Sequence, residues 1–326
     1  MTRLVVVTPV YDEAAASARL FRELAAAFGS RVFVVAVDDG SVREPVEPAH
    51  LAAADVSGTV ITLRRNVGHQ RAIAIGLSHV VAEMADAATI IVMDSDGEDV
   101  PHSVVDLLQP LQAADVDVVV AERRSRVETL RFRIFYRIYQ FLFGLLSGRR
   151  ISFGNFMAMK PLAAKRLVAM PELWIHVAAC VLNSKLRVAI CPLDRGPRYA
   201  GKSKMNFASL VLHGFRGLMV FAEDVLLRVG IASAVVACVS VIAGVTAVFL
   251  KVNGFATPGW FSVALAVSFI VFLQTGAITL ISLISTGAMR GASAVVADYR
   301  DFIDKIRHVD PAVLSDAGNE QPVFKR

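Results

Sequence analysis

The residues of this chain best suited to chemistry lie in a short acidic stretch, "DSDGED" at residues 94–99, which directly follows the apolar run "IIVM". Carboxylates beside a hydrophobic core repel one another and are costly to bury unless they are paired. Either the stretch is a solvated turn, or a cation lies beside it. Mg²⁺ and Mn²⁺ favour carboxylate oxygens, and Mg²⁺ is commonly shared between one or two carboxylates and substrate phosphates. Asp94 and Asp96 therefore predict a divalent-cation site.

Other charged residues suggest which class of substrate would bind together with such a cation. A second acidic turn, "DDGS", occupies residues 38–41, and separate basic residues stand at Arg71, Arg123 and Arg198. Acids for a metal and bases for phosphate in one domain indicate a nucleoside-diphosphate substrate. The chain has neither GxxxxGK[ST] nor GxGxxG, which disfavours a P-loop protein and a dinucleotide-binding fold.

The elements that must position these residues alternate along the first 120 residues or so. Strands are predicted at 3–8, 31–39, 58–63, 88–94 and 115–123, and helices at 13–28, 68–85 and 101–112. Continuous Val and Ile runs with helices between them are typical of an α/β domain with a mainly parallel sheet. Ligands of such sheets bind beyond the carboxyl ends of the strands. All five strands end in a polar cluster, so we expect these clusters to meet at one edge.

Two uncharged segments, 229–250 and 252–289, follow this domain. About 20 apolar residues cross a bilayer core, so residues 229–289 predict a helical hairpin through a membrane rather than two buried core helices. Basic residues flank the hairpin at Arg216, Arg228, Arg290, Arg300, Lys305 and Arg307, whereas the connecting loop holds only Lys251. This bias places both ends in the cytoplasm. The start of the chain, "MTRLVVVTP", has too short an apolar run for a signal peptide.

The segment between domain and hairpin is basic and amphipathic. Residues 123–150 hold eight Arg and one acid. An anionic membrane surface explains this charge more simply than nucleic acid does. Helices over 127–150 and 206–227 are predicted to lie in the membrane interface, with packing against a core as the alternative. The polar tail from about residue 308 is expected to be disordered.

Five motifs resemble a known family. "PVYDE", "VDDGS", "NVGHQRAIAIGL", "MDSDGEDVP" and "RYAGKSKMN" occur in the order and at the spacings of family 2 glycosyltransferases of the GT-A type. With the hairpin, the chain resembles the polyisoprenyl-phosphate glycosyltransferase branch, which includes dolichol-phosphate mannose synthase-like proteins. The resemblance covers about residues 3–290. It implies a nucleotide-diphosphosugar transferase domain followed by interface helices and a two-helix transmembrane hairpin.

The resemblance also implies residue roles. The donor nucleotide-sugar would be bound by Pro9, Tyr11, Glu13, Asp38, Asp39, Ser41, Arg71, Asp94 and Ser95, with Asp39 on the base or ribose. Mg²⁺ or Mn²⁺ would be held by Asp94 and Asp96. The catalytic set would be Asp96, Arg123, Arg198 and Lys204, and the acceptor phosphate would contact Arg198, Lys202 and Lys204.

The chain departs from patterns seen among relatives. Where many relatives carry an acid after the interface helix, this chain has "SFGNFMAMK" with Asn155. Asn cannot act as a general base. A phosphate acceptor is already ionised near pH 7 and needs less deprotonation than a sugar hydroxyl, so the change fits a phosphate nucleophile but also a different acceptor. Glu172 and His176 are further acceptor-side candidates. The QxxRW motif of processive synthases is missing, which disfavours polysaccharide synthesis.

The expectation is thus a membrane-anchored, metal-dependent, inverting glycosyltransferase. It would move one sugar from a nucleotide-sugar to a polyprenyl phosphate at the cytoplasmic face of the plasma (inner) membrane. The predicted parts are a nucleotide-sugar-binding domain (1–126), an acceptor-side region (127–228), the hairpin (229–289) and a cytoplasmic tail (290–326). Another lipid or lipid-linked glycan as acceptor, and a non-catalytic membrane scaffold, remain alternatives. Small residues in the spans, such as Gly244 and Gly276, permit a homo-oligomer.

Overall fold

The computed structural model describes residues 3–123, 130–199, 207–255, 259–292 and 298–310. They form two compact units. One contains the described residues within Met1–Phe132, Ile151–Val220 and Val296–Arg326, and the other those within Arg133–Arg150 and Phe221–Val295. Lys202, Lys204 and most of the predicted disordered tail lie outside the described residues.

The first unit is built on an eight-stranded sheet. Its strands are β1 (Arg3–Val10), β2 (Val32–Asp38), β3 (Gly58–Leu63), β4 (Ala87–Val92), β5 (Val118–Arg123), β6 (Phe153–Met159), β7 (Val188–Leu193) and β8 (Ile303–Val309). They are ordered β7-β5-β6-β4-β1-β2-β3-β8, and only β6 and β8 run antiparallel to their neighbours in this sheet of described residues. The predicted mainly parallel α/β domain is confirmed.

Helices cover both faces of the sheet. The helices of this unit are α1 (Ala14–Phe28), α2 (Pro48–Ala52), α3 (His69–Glu83), α4 (Val104–Leu111), α6 (Pro161–Val168), α7 (Val177–Asn183) and α8 (Phe207–Met219), and most of α5 (Leu130–Ser147) belongs to the second unit. Side chains alternate between the faces of each strand. Val5 and Val7 of β1 pack with α3, α6 and α7, whereas Leu4 and Val6 pack with α1, α2 and α4.

The second unit contains two long helices, α9 (Ala222–Val252) and α10 (Trp260–Ala292). Both are long and apolar enough to cross a membrane. They pack as a hairpin, in which the hydroxyl of Thr279 donates to the carbonyl oxygen of Gly230 at 3.4 Å. Gly244 also lies on this contact, because a Cβ there would meet Leu265 at 3.9 Å. The predicted helical hairpin is therefore present.

Three strands were not predicted from the sequence. β6 separates β4 from β5, and β7 forms one edge of the sheet. β8 follows α10 and pairs antiparallel with β3, so residues 308 and 309 are part of a strand and the expected disorder does not begin there. The predicted helix over 206–227 is also divided, because α8 ends at Met219 and α9 begins at Ala222.

Candidate active site

The two acidic turns lie on either side of the carboxyl end of β1. The N–H of Asp39, after β2, donates to the carbonyl oxygen of Val10 at 2.8 Å. The hydroxyl of Ser95, after β4, donates to the carbonyl oxygen of Pro9 at 3.3 Å. β1 therefore brings together residues that are more than fifty positions apart in the sequence, as the rule for parallel sheets predicts.

The "DSDGED" turn is shaped by its own carboxylates. The N–H of Asp94 donates to Oδ2 of Asp99 at 2.9 Å, and the N–H of Glu98 donates to Oδ1 of Asp96 at 2.9 Å. Gly97 has a φ of +90°, a conformation that side-chain-bearing residues rarely adopt. Asp99 therefore fixes the backbone of Asp94.

Two arginines form ion pairs with carboxylates of this turn. Nη2 of Arg198 lies 2.7 Å from Oδ2 of Asp96, and its Nε donates to Oε1 of Glu98 at 3.0 Å. Arg195 forms an ion pair with the other oxygen of Glu98. A charge-assisted pair of this kind offsets the repulsion among the carboxylates. The acidic stretch thus has cationic partners from the protein itself, and Arg198 contacts these carboxylates although it is 100 residues from Glu98 in the sequence.

A histidine contacts the other predicted metal ligand. Nε2 of His69 lies 3.2 Å from Oδ1 of Asp94, and Nδ2 of Asn155 lies 3.0 Å from the same ring nitrogen. Burial alone would lower the pKa of His69, but the charges of Asp94, Asp99 and Asp39 outweigh it, so the pKa lies above its ordinary value. Asn155 therefore belongs to the acidic site through His69.

Two further histidines, His176 and His213, form a pair beside this group. His176 begins α7, and its Nδ1 accepts the N–H of Ala179 at 3.2 Å. Its Nε2 must then carry the hydrogen and donate to Nε2 of His213, 3.1 Å away on α8. Burial and the neighbouring His213 lower the pKa of His176 to about 3, so this pair is neutral at physiological pH.

The two aspartates that are predicted to bind the nucleotide also hold loops in place, because their carboxylates accept backbone N–H groups. Asp38 is fully buried and accepts the N–H groups of Ser41 at 2.7 Å and Val46 at 2.8 Å. Asp39 accepts the N–H groups of Val67 and Gly68 at 2.7 and 2.9 Å. Burial raises the pKa of Asp39, and these backbone hydrogen bonds oppose the shift. Asp39 thereby fixes the chain just before His69.

The remaining predicted residues are spread around this edge. Pro9 is buried within β1, Tyr11 is exposed, and Glu13 is half-buried directly before α1. Arg71 is exposed in the first turn of α3. Arg123 ends β5, and its side chain lies outside the described part of the structure.

The side chains of the acidic turn fit one class of metal. Within the described ranges, no group of three or more His, Cys, Asp and Glu side chains could hold a metal ion. Asp94 and Asp96 supply hard carboxylate oxygens, and Mg²⁺ sites often use only one or two carboxylates together with substrate phosphates. These donors therefore fit Mg²⁺ or Mn²⁺ held jointly with a diphosphate, and they do not fit a structural zinc.

Sequence reasoning missed four contributors to this site: His69, Arg195, Tyr199 and His213. His69 stands inside a quoted motif, and Arg195 precedes Arg198 by three residues, so both had a local signal. Tyr199 donates its hydroxyl to Glu23, which is 176 residues away, and His213 meets His176 across 37 residues. Only the folded chain reveals these two contacts.

Comparison with known proteins gives a consistent result. The family model described as glycosyl transferase family 2 matches residues 5–171, about half of the chain. The chain is 26% identical over 251 residues to the uncharacterized glycosyltransferase YkoT of Bacillus subtilis (strain 168), covering 74% of this chain and 71% of the relative. It is 28% identical over 216 residues to the undecaprenyl-phosphate 4-deoxy-4-formamido-L-arabinose transferase of Enterobacter sp. (strain 638), covering 63% of each.

Among solved structures, the fold resembles that of glucosyl-3-phosphoglycerate synthase from Mycobacterium tuberculosis. That protein was crystallised with Mn²⁺, UDP-glucose and phosphoglyceric acid. The TM-score is 0.51 at 15% sequence identity, and the match covers 70% of this chain and 79% of the other. At this identity the likeness shows the GT-A fold, which is the predicted fold.

Proposed function

Because the chain belongs to glycosyl transferase family 2, we propose that it transfers one sugar from a nucleotide-sugar to a polyprenyl phosphate at the cytoplasmic face of a membrane. The family prediction made from the five motifs is confirmed. The observation that carries the proposal is the acidic turn after β4, where Asp94 and Asp96 lie among His69, Asn155 and Arg198. The relative that acts on undecaprenyl phosphate supports the lipid acceptor.

The donor would bind across the carboxyl ends of β1, β2 and β4. Pro9, Tyr11 and Glu13 lie after or within β1, and the loops pinned by Asp38 and Asp39 border the same edge. Ser95 and Arg71 complete the proposed nucleotide-sugar pocket. A preformed pocket of this kind binds its ligand with a smaller entropic cost, because its loops are already ordered.

Asp94 and Asp96 would hold Mg²⁺ or Mn²⁺ together with the donor's diphosphate. The cation would stabilise the negative charge that develops on the leaving nucleoside diphosphate. Arg198 lies against Asp96 and carries the charge and the donor geometry to contact the same phosphates. In this scheme Arg123, Lys202 and Lys204 supply further positive charge.

The proposed transfer step needs no side chain that removes a proton. An oxygen of the acceptor phosphate attacks the anomeric carbon of the sugar from the face opposite the leaving group. The bond from that carbon to the diphosphate breaks, the nucleoside diphosphate departs with the electron pair, and the configuration inverts. Asn155 lies at the acidic site without adding negative charge, which suits an anionic acceptor.

The hairpin of α9 and α10 would anchor this site to the membrane. β8 follows α10 and pairs with β3, so the chain returns to the sheet that it left before α9. Helices inserted between two parts of one folded domain must cross a membrane an even number of times. Together with the basic residues that flank the hairpin, this connectivity supports a cytoplasmic site and an outward loop near Asn253.

Activity is tested with purified protein, Mn²⁺, undecaprenyl phosphate and a panel of UDP-, GDP- and CDP-sugars, with the lipid product identified by mass. Asp96→Asn should reduce turnover by a factor on the order of 10² or more. Asp86→Asn is the matched control, because Asp86 precedes β4 at the opposite edge and pairs with Arg3. Failure of every sugar, or full activity of Asp96→Asn, would contradict the proposal. If the protein transferred sugar only to a lipid-linked glycan and not to undecaprenyl phosphate, the alternative acceptor considered from the sequence would be favoured.

Sidedness is tested by cysteine labelling in a background without the three native cysteines. Asn253→Cys, in the turn after α9, should react with a membrane-impermeant maleimide applied to intact cells. Asp301→Cys, between α10 and β8, should react only after the cells are opened. The reverse pattern would place the sheet on the outer side.

A further inference from the structure

The basic segment 195–199 lies alongside the acidic turn and is bonded to it through the backbone. The N–H of Gly196 donates to the carbonyl oxygen of Glu98 at 3.0 Å, and the N–H of Tyr199 donates to that of Asp96 at 2.8 Å. These two bonds fix the distance between the segments. They place Arg198 opposite Asp96 and Glu98, so the ion pairs depend on how the segment is held.

Tyr199 holds one end of that segment. Its ring packs on Gly97, where an added Cβ would lie 2.7 Å from ring atoms. Its hydroxyl donates to Oε2 of Glu23 on α1 at 2.6 Å. Burial and the carboxylate of Glu23 raise the pKa of Tyr199, so the hydroxyl keeps its hydrogen and continues to donate.

Helix α1 reinforces this anchor with a second contact. The guanidinium of Arg19 lies 4.3 Å from the centre of the Tyr199 ring, and its Nε donates to Oε1 of Glu23 at 2.9 Å. Glu23 thus accepts from Arg19 and Tyr199 through different oxygens. Cation–π and charge-assisted contacts of this kind stabilise one orientation of the ring.

The two oxygens of Asp96 are both engaged within the protein. Oδ1 accepts the N–H of Glu98, and Oδ2 contacts Arg198. Each of these oxygens could accept a further partner, but a divalent cation on Asp96 would lie beside the positive charge of Arg198, so these two cations compete for the carboxylate. Arg198 is the exchangeable partner of Asp96, because its side chain can turn away while the backbone of the turn stays in place. When released, its guanidinium is available to the diphosphate.

We propose that Tyr199 is a positioning residue that sets how Asp96 is shared between Arg198 and a divalent cation. Glu23 and Arg19 act through Tyr199, although neither belongs to the acidic turn. The inference rests on the metal assignment within the proposed function. It predicts that loosening the Tyr199 anchor weakens the hold of Arg198 on Asp96 and so strengthens cation binding, although no charge at the site changes.

The test is direct Mn²⁺ binding to the purified full-length protein, followed by electron paramagnetic resonance of free Mn²⁺, with and without UDP. Tyr199→Phe keeps the ring on Gly97 and removes only the hydroxyl. It should lower the Kd for Mn²⁺ roughly threefold, the size expected for losing one hydrogen bond. At the same time, transfer should slow through kcat rather than through the KM for donor, because Arg198 is less well placed.

Two further variants separate competition from charge. Arg198→Gln removes the competitor and should lower the Kd for Mn²⁺ more than Tyr199→Phe does. Arg195→Gln removes the same charge from a residue that pairs with Glu98, and it should have a smaller effect. If the two glutamine variants had equal effects, simple charge removal would explain the result. The proposed competition between Arg198 and the cation for Asp96 would then be wrong.

Thermal unfolding of each variant completes the design. If Tyr199→Phe lowers the unfolding midpoint but leaves the Kd unchanged, the tyrosine is only structural and the proposal is wrong. Glu23→Leu, which removes the acceptor of the Tyr199 hydroxyl, gives an independent reading should Tyr199→Phe fail to fold, and an unchanged or raised Kd there would also refute the proposal. If the unmodified protein did not bind Mn²⁺, the proposal that Asp96 is shared between Arg198 and a divalent cation would be wrong. Sugar transfer is scored separately by product mass, so the broader function is judged on its own.

Discussion

Nε2 of His69 lies 3.2 Å from Oδ1 of Asp94, and the amide of Asn155 lies 3.0 Å from the same nitrogen. Asn155, which stands where the resemblance predicted an acid, is therefore linked to the acidic turn through a histidine. An amide carries both a donor and an acceptor, so it can face either protonation state of the ring. A carboxylate in its place could only accept and would add a negative charge.

Asn155→Asp should raise the pKa of His69 further above its ordinary value, because a second carboxylate beside the ring favours the imidazolium. The measurement is an NMR titration of the histidine ring signals, with His69 assigned through His69→Gln. Asn155→Ala, which removes the amide without adding charge, is the control and should shift the pKa less. A pKa in Asn155→Asp at or below that of the unmodified protein would contradict the prediction.

His176 should make the protein sensitive to acid. Its pKa is about 3 in the fold against an ordinary 6.5, so below pH 6.5 the unfolded chain takes up a proton that the folded chain does not. Stability must then fall as pH falls, by about 1.4 kcal/mol per pH unit from this group. His176→Asn keeps a cap for α7 and removes the titration. Between pH 7 and 5 its unfolding midpoint should drop less than that of the unmodified protein; equal drops would refute this.

Gly97→Ala should destabilise the acidic turn. The positive φ costs roughly 1–2 kcal/mol for a residue with a Cβ, and the new carbon would displace the Tyr199 ring. Both the unfolding midpoint and sugar transfer should decrease. Gly154→Ala is the matched control, because Gly154 is exposed in β6 with no heavy atom within 4 Å of an added Cβ. Equal behaviour of the two variants would show that the turn tolerates a side chain.

Asp38→Asn should lower the stability of the protein even in the absence of the donor. Asp38 is fully buried, and both its oxygens accept backbone N–H groups, one of which would face the new amide hydrogens. The expected loss is about 1–3 kcal/mol, measured by thermal unfolding beside Asp86→Asn. Loss of donor binding at an unchanged midpoint would instead show that Asp38 acts on the nucleotide and not on the loop.

The sequence was most informative where apolar runs are continuous. β3 was predicted over 58–63 and is Gly58–Leu63, because "GTVITL" is bounded by polar turns and fits only a buried strand. β6 escaped prediction because "FGNFMAM" mixes Gly, Asn and Met, none of which favours strands. β8, "IDKIRHV", is an edge strand whose interior is exposed, so its placement comes from backbone pairing with β3 rather than from hydrophobic pattern.

The site residues could likewise be predicted only where the signal was local in the sequence. Asp94 and Asp96 were predicted because a local motif and a strand end coincide, and the structure places both in the turn after β4. Arg198 was predicted as a site residue, but its pairing with Asp96 was not, and neither was the contact of His69 with Asn155 across 86 residues or that of Tyr199 with Glu23 across 176. Such pairs leave no periodicity or spacing in the chain. They exist only once the sheet has brought its loops to one edge.

The position of β8 also orders events during synthesis. β3 is made early, yet the strand that covers its outer edge is translated only after both long apolar helices. The sheet therefore cannot be completed on the ribosome until the hairpin has emerged. In the proposed membrane setting, the edge of β3 would stay exposed until both helices have been made, and β8 could cover it only afterwards.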